Sequence, residues 1–228
     1  ESPRLWEKHA DAILRGIGLT PTTHEPCLYS GAIDGNRVLL MRQVDDFAIA
    51  TATERTANLL LDLLDDKLSI PIKRQGLSDM FNGIDVTQTR DYIKLDCHTY
   101  INKFCNKYLS TWLLKVPLSE NRPTPLPYDP KWIKSFNAAT GPTDPKEQQK
   151  LASKMGIKYK GGVGELIWAM TTCRPDISYT SVKLSQSNSA PAEIHFHGLK
   201  SAIRYLYISR HDGIYFWRTR AQEDLPHA

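Results

Sequence analysis

Asn36-Arg37-Val38-Leu39-Leu40-Met41-Arg42-Gln43-Val44-Asp45-Asp46-Phe47-Ala48-Ile49-Ala50 is the stretch on which the reading of the chain turns. Two apolar, partly β-branched runs, Val38–Met41 and Phe47–Ala50, flank a pair of adjacent carboxylates. That pattern predicts a β-hairpin with Asp45 and Asp46 at its bend. Two explanations compete for those acids. Asp favours turns because its side chain hydrogen-bonds nearby backbone, so an acidic hairpin tip requires no chemistry. Two hard carboxylates on a rigid turn, joined by a third from a neighbouring strand, can instead hold the pair of Mg²⁺ ions that serves phosphoryl transfer.

Working outward, the residues before the hairpin predict a helix. Ser2 suits an N-cap and Pro3 a first helical position, and Trp6, Ala10, Ile13, Leu14 and Ile17 follow at helical spacing up to Gly16–Gly18. Cys27–Ala32 then reads as a strand that leads through Asp34-Gly35 into the hairpin. After it, Thr51-Ala52-Thr53-Glu54 has the form of a capping box, and Ala57, Leu60, Leu61, Leu64 and Leu68 continue a helix that packs under the hairpin. Asp62, Asp65 and Asp66 lie off that stripe and read as a solvated face.

Pro71–Gln75 is expected to be a strand, and Met80–Gln88 with Tyr92–Leu95 a second hairpin around Thr89-Arg90-Asp91. Gly83 falls inside its first strand, where a glycine marks a bulge or a close backbone approach, nucleic acid being one candidate. Thr99 is placed to cap a helix with Tyr100, Phe104, Tyr108 and Trp112 on one side and Lys103 and Lys107 on another. Residues 117–145 hold seven of the chain's 14 prolines and read as a linker or long loop without regular structure. Beyond it the pattern is helical: Val163, Leu166, Ile167 and Met170 end at Cys173-Arg174-Pro175, and Asp176 is placed to cap a helix through Ile177, Ser181 and Leu184. Phe196, Leu199, Ala202, Ile203 and Leu206 line one side of a last helix, with His197, Lys200 and Arg204 on another. Such a basic stripe meets phosphates in some proteins and is an ordinary solvated face in others.

The chain therefore predicts an α+β fold, with a sheet-bearing part over residues 1–97 and a mainly helical part over 98–228. At 228 residues and 25.9 kDa, with 41% hydrophobic residues, it can bury a sizeable core. The balance of 29 Lys+Arg against 25 Asp+Glu, a net +4, suits a polyanionic partner without demanding one. Four cysteines without a paired C-x-x-C exclude a classical structural zinc site and read as core thiols. His9 and His24 read as packed or solvated, and His195 and His197, two apart on a helix, point away from each other. No apolar run is long enough for a membrane span, so a soluble protein of the cytoplasm or nucleus is expected. P-loop, Rossmann and nucleophile-elbow patterns are absent.

Several of these stretches, taken in order, resemble the reverse transcriptase of Ty1/copia-type retrotransposon polyproteins. Val44-Asp45-Asp46 with Ala48-Ile49-Ala50 resembles the family's Y-x-D-D hairpin, preceded by Ser2-Pro3-Arg4-Leu5-Trp6 and Pro26-Cys27-Leu28-Tyr29. Phe81-Asn82-Gly83-Ile84-Asp85 resembles its primer-grip hairpin. Gly164-Glu165-Leu166-Ile167-Trp168-Ala169 and Arg174-Pro175-Asp176-Ile177 resemble helical signatures of the thumb and connection, and Ala202-Ile203-Arg204-Tyr205-Leu206 resembles the last helix before the ribonuclease H domain.

The resemblance implies a partial polymerase palm followed by a thumb and connection. Asp45 and Asp46 would be catalytic ligands of Mg²⁺ or Mn²⁺, with Asp45 the principal one. Gln43, Gly83, Lys103, Lys107, Lys200 and Arg204 would contact nucleic acid. The implied reaction is RNA-directed DNA polymerisation: in-line attack of a primer 3′-hydroxyl on the α-phosphate of a dNTP. The implied partners are an RNA/DNA primer–template duplex, dNTP and the rest of a Pol polyprotein, with integrase upstream and ribonuclease H downstream. In the family a third carboxylate and the fingers precede the matching segment, so this segment alone is expected not to polymerise. Gln43 departs from the family, standing where most members carry Tyr. A non-catalytic nucleic-acid-binding remnant and an inert relic remain as alternatives of a different class.

Overall fold

The computed structural model describes residues 2–68, 71–113, 124–127 and 129–218. It has the expected α+β character, with two antiparallel sheets and eight α-helices among the described residues. The chain divides into two compact units, Glu1–Ser78 and Asp79–Ala228. The division falls before the second hairpin, which therefore belongs with the helices and not with the first sheet.

In the first unit, α1 (Ser2–Gly16) leads into a four-stranded meander: β1 (Thr20–Pro21), β2 (Leu28–Ile33), β3 (Asn36–Gln43) and β4 (Asp46–Thr51), followed by α2 (Glu54–Leu68). Alternation along β3 decides which face is covered: Val38, Leu40 and Arg42 are buried, while Arg37, Met41 and Gln43 face water. Leu14 and Leu19, Tyr29, and Leu60, Leu64 and Leu68 of α2 close the core on that face. Each such fully buried leucine contributes roughly 1.5–3 kcal/mol. The cap of α2 is two residues later than the sequence pattern suggested, at Thr53 and not Thr51, since Thr53 Oγ1 accepts from the Thr56 N–H at 3.2 Å. Residues 71–75 are not a strand. Arg74 instead pairs with Asp62 and Asp65, both at 2.7 Å, and Asp65 accepts from the Ile72 N–H, so two of the three acids on α2's polar side tether this segment.

The second unit opens with β5 (Met80–Phe81), β6 (Ile84–Gln88) and β7 (Tyr92–Asp96). Asn82-Gly83 forms the tight turn between β5 and β6, with φ of 50° and 77°, so Gly83 is a turn residue and not a strand interior as the sequence reading had it. Next come α3 (His98–Tyr108), continued by one π turn to Leu113, then α4 (Pro130–Ala138), α5 (Pro145–Met155), α6 (Tyr159–Thr172), α7 (Ser178–Ser185), α8 (Glu193–Ile208) and β8 (Ile214–Trp217), which pairs with β7. Part of the expected linker is thus regular helix. Asp129 caps α4 with Pro130 at its first turn, and Asp144 caps α5 with Pro145 likewise. Of the remainder of that stretch, residues 124–127 and 139–144 hold no helix or strand, and residues 117–123 and Tyr128 lie outside the described residues.

Two carboxylates on adjacent strands anchor α3, and Thr99 is not its cap. Asp96 accepts from the His98 N–H at 3.0 Å, and Asp85, opposite it in register, accepts from the Thr99 N–H at 2.9 Å and the Thr99 hydroxyl at 2.7 Å. Asp176 likewise caps no helix: it takes the guanidinium of Arg174 as a fork. α8 runs through the centre and packs on α3, α4, α5, α6 and α7. The approach of α6 is close because Gly162 has no side chain; a Cβ there would lie 2.9 Å from Leu199 of α8. Cys97, Cys105 and Cys173 are buried free thiols, and burial pushes Cys97 and Cys105 up to about 12, so they are packing residues. His195 is a satisfied core histidine: Nδ1 accepts from the Ala192 N–H and Nε2 lies 2.9 Å from the Phe136 carbonyl. Among the described residues no helix is long and apolar enough to cross a membrane.

Candidate functional site

The acidic pair sits where the hairpin pattern put it. Gln43 pairs with Asp46, which leaves a two-residue turn of Val44 and Asp45. Val44 has φ of +58° while Asp45 stays at negative φ. A turn of that kind normally places glycine at its first central position, and a β-branched residue there carries strain on the order of 1–3 kcal/mol.

Contacts from α1 hold the turn in this form. Trp6 Nε1 donates to the Val44 carbonyl at 2.8 Å. One residue on, Glu7 Oε1 accepts from Arg42 Nη2 at 3.3 Å, and the Arg42 N–H is bonded to the Cys27 carbonyl at 2.9 Å. Arg42 is only 5% exposed and its Nε has no partner, so an uncompensated donor lies on the buried side of the hairpin end. Spacing gave no hint of Arg42 or Trp6: one lies in an apolar run and the other reads as a helix-face aromatic.

Asp45 and Asp46 are both exposed and, among the described residues, neither carboxylate has a hydrogen-bond or ion-pair partner. Gln43 and Asp46 share the outer sheet face with Met41 and Ala48. The structure thus brings Asp45, Asp46 and Gln43 together on one rigid hairpin end. Their donors fit a hard divalent cation: anionic oxygens, water-accessible, with no ammonium or guanidinium paired to them among the described residues.

The remaining predicted residues lie in the second unit. Gly83 is pressed against its own core, its Cβ position 3.3 Å from the Trp168 ring. Trp168 packs on Tyr100 at 3.9 Å, and the Tyr100 hydroxyl bonds to Glu165. Glu165 also takes Lys107 at 3.0 Å, and the Lys107 ammonium lies over the Phe104 and Tyr108 rings. Gly83 and Lys107 therefore belong to one network, with Lys107 largely neutralised by an acid that helical spacing did not reveal. Lys103 is exposed and has no partner among the described residues. Lys200 lies over the Trp112 ring at 5.0 Å, and burial lowers its pKa below 10.5; Arg204 is half-buried.

No family model and no solved structure matches the chain. Curated proteins do. A transposon Ty5-1 protein of Saccharomyces cerevisiae is 26% identical over 213 residues, 92% of this chain and 62% of its own length. The retrovirus-related Pol polyprotein from transposon TNT 1-94 of Nicotiana tabacum is 26% identical over 210 residues, 90% of this chain and 15% of the polyprotein. That from transposon RE1 of Arabidopsis thaliana is 27% identical over 215 residues, 94% of this chain and 13% of the polyprotein. The chain thus spans under two-thirds of the first relative and about one-seventh of the others. Its homologues, aligned over at least 90% of its length, are Pol polyproteins of copia-type retrotransposons.

Proposed function

We propose that the chain is the part of an RNA-directed DNA polymerase that presents the metal-binding acidic hairpin and grips the primer–template duplex. The observation that carries this reading is the pair Asp45 and Asp46 on a strained turn that Trp6 holds, both exposed and unpartnered, in a chain whose homologues are Pol polyproteins. Unpaired acids on an ordinary turn need no pinned backbone, whereas metal ligands do, because preorganisation is what a catalytic site requires of its scaffold.

Asp45 and Asp46 would hold Mg²⁺ or Mn²⁺, which supplies activation of the primer 3′-hydroxyl and neutralisation of phosphate charge. Gln43, on the outer face beside Asp46, offers an amide to the primer terminus. Lys103 offers a free ammonium to the duplex backbone. In the polyprotein a further carboxylate completes the donor set, and dNTP is the co-substrate.

Replacement of the divalent ion by Fe²⁺, followed by radical cleavage of a bound RNA/DNA primer–template, tests this directly. Cleavage should cluster at the primer terminus and vanish in Asp45→Asn/Asp46→Asn, with duplex binding retained. No duplex binding, or cleavage spread evenly along the duplex, would overturn the reading.

A further inference from the structure

His98 opens α3 and His211 lies in the turn before β8, with ring centroids 5.2 Å apart and planes tilted by 37°. Nδ1 of His98 is 2.6 Å from Asp96 Oδ1 and 3.2 Å from Asp85 Oδ2. Carboxylates only accept, so Nδ1 carries a proton, and the ring's lone pair, when a metal takes it, is on Nε2. A carboxylate that orients a metal-ligating histidine does so through the same contact.

The separation of the rings is also that of two ligands on one ion. With Zn–N of about 2.0–2.1 Å and a ring centre about 1.15 Å behind the nitrogen, each centroid lies about 3.2 Å from the metal. At a tetrahedral angle the two centroids are then about 5.2 Å apart. The carboxylates themselves are spoken for. Ligand atoms of Asp85, Asp96 and His98 lie within 4.8 Å of one another, but the four carboxylate oxygens already accept from Thr99, His98 and Lys94.

We propose that His98 Nε2 and a ring nitrogen of His211 hold a divalent transition-metal ion of the Zn²⁺ class, water completing the shell. Neutral imidazole selects such ions over Mg²⁺, so the site is separate in chemistry from Asp45 and Asp46 and independent of the polymerase reading. The neighbouring cations are engaged: Lys94 with Asp96 at 2.7 Å, and Arg210 with the Tyr207 carbonyl at 2.8 Å and its ring at 4.7 Å. A bound ion would join the first turn of α3 to the turn that feeds β8, the edge strand of its sheet.

Calorimetric titration of the 228-residue chain with Zn²⁺ at neutral pH, with Mg²⁺ as the control ion, tests the site. One saturable Zn²⁺ site is expected, with affinity at least tenfold weaker in His211→Ala, an exposed position, and in His98→Asn. The asparagine amide keeps donation to Asp96 but lacks Nε2, and circular dichroism checks that both variants keep their fold. Unchanged Zn²⁺ affinity in either variant overturns the proposal. Loss in His98→Asn alone would assign the ion to the Asp85–Asp96 side instead.

Discussion

Replacing Arg174 with Met should lower the urea midpoint of the second unit's unfolding by about 1–1.5 M. Arg174 is 1% exposed. Its Nε and Nη2 fork Asp176 at 2.9 and 2.8 Å, Nη1 donates to the Ser209 carbonyl at 3.0 Å, and Nη2 to the Ser209 hydroxyl at 2.6 Å. The Tyr205 hydroxyl donates to Asp176 at 2.8 Å, so the turn after α6 is locked to the end of α8. Met fills similar space without a donor. It removes one of two donors to the Ser209 carbonyl, which keeps the Asp212 N–H at 2.9 Å, leaves the buried Ser209 hydroxyl without its donor, and leaves Asp176 without its cation. Breaking a buried pair costs about 3–5 kcal/mol; because Asp176 keeps 37% of its side chain exposed, screening sets the expected cost near 3. Divided by a urea slope of about 2–3 kcal/mol/M, that gives the stated shift.

The same variant carries a pH signature. Burial alone pushes the Asp176 carboxyl up, but the Arg174 fork and the Tyr205 hydroxyl outweigh it and hold it below 3.8. A depressed folded pKa contributes stability that is complete above the unfolded value and lost as pH falls through the folded one. In Arg174→Met only burial and Tyr205 remain, the carboxyl rises, and acid no longer removes that contribution. The penalty should therefore be largest near pH 7 and shrink by pH 3, as read by urea melts followed by circular dichroism at both. A penalty equal at both pH values, or below about 1 kcal/mol, would refute the reasoning.

Three further outcomes follow from single contacts. Gly83→Ala must adopt φ near 77° and set a Cβ 3.3 Å from Trp168, so a loss of about 1–2 kcal/mol is expected in the same melts; an unchanged midpoint would show that the turn relaxes freely. Trp6→Phe removes the bond to the Val44 carbonyl at a cost of about 1 kcal/mol, and should also weaken Mn²⁺ binding at Asp45 and Asp46 by electron paramagnetic resonance. Lys103→Ala should flatten the salt dependence of duplex binding by about one unit in log K against log salt, whereas Lys107→Ala, whose ammonium is already paired with Glu165, should change the slope far less. Equal slopes for the two would show that the ion pair opens on binding.

The difference between those two lysines also marks how far the sequence could be read. Strand alternation in residues 38–50 and the leucine spacing of α2 and α8 were legible because each depends on a single element's own period. The α4 start was legible too, in Asp129-Pro130, but prolines counted as breakers hid it; at the first helical turn proline costs no hydrogen bond. Asn82-Gly83 was hidden likewise inside a longer run that looked like one strand, although that dipeptide favours the turn with two positive φ values it adopts. What could not be read is who partners a charge. Glu165 reaches Lys107 across 58 residues of sequence and Asp85 reaches Thr99 across 14, through contacts that only the packed fold creates. The surroundings of the basic residues of α8 were hidden for the same reason. A helix wheel assigns Lys200 and Arg204 to an open face, but five helices pack around α8, leaving Glu193 and His197 as its exposed residues and Lys200 lying on an indole. Lys200 and Arg204 are thus partly covered, whereas Lys103 on α3 is exposed and has no partner among the described residues.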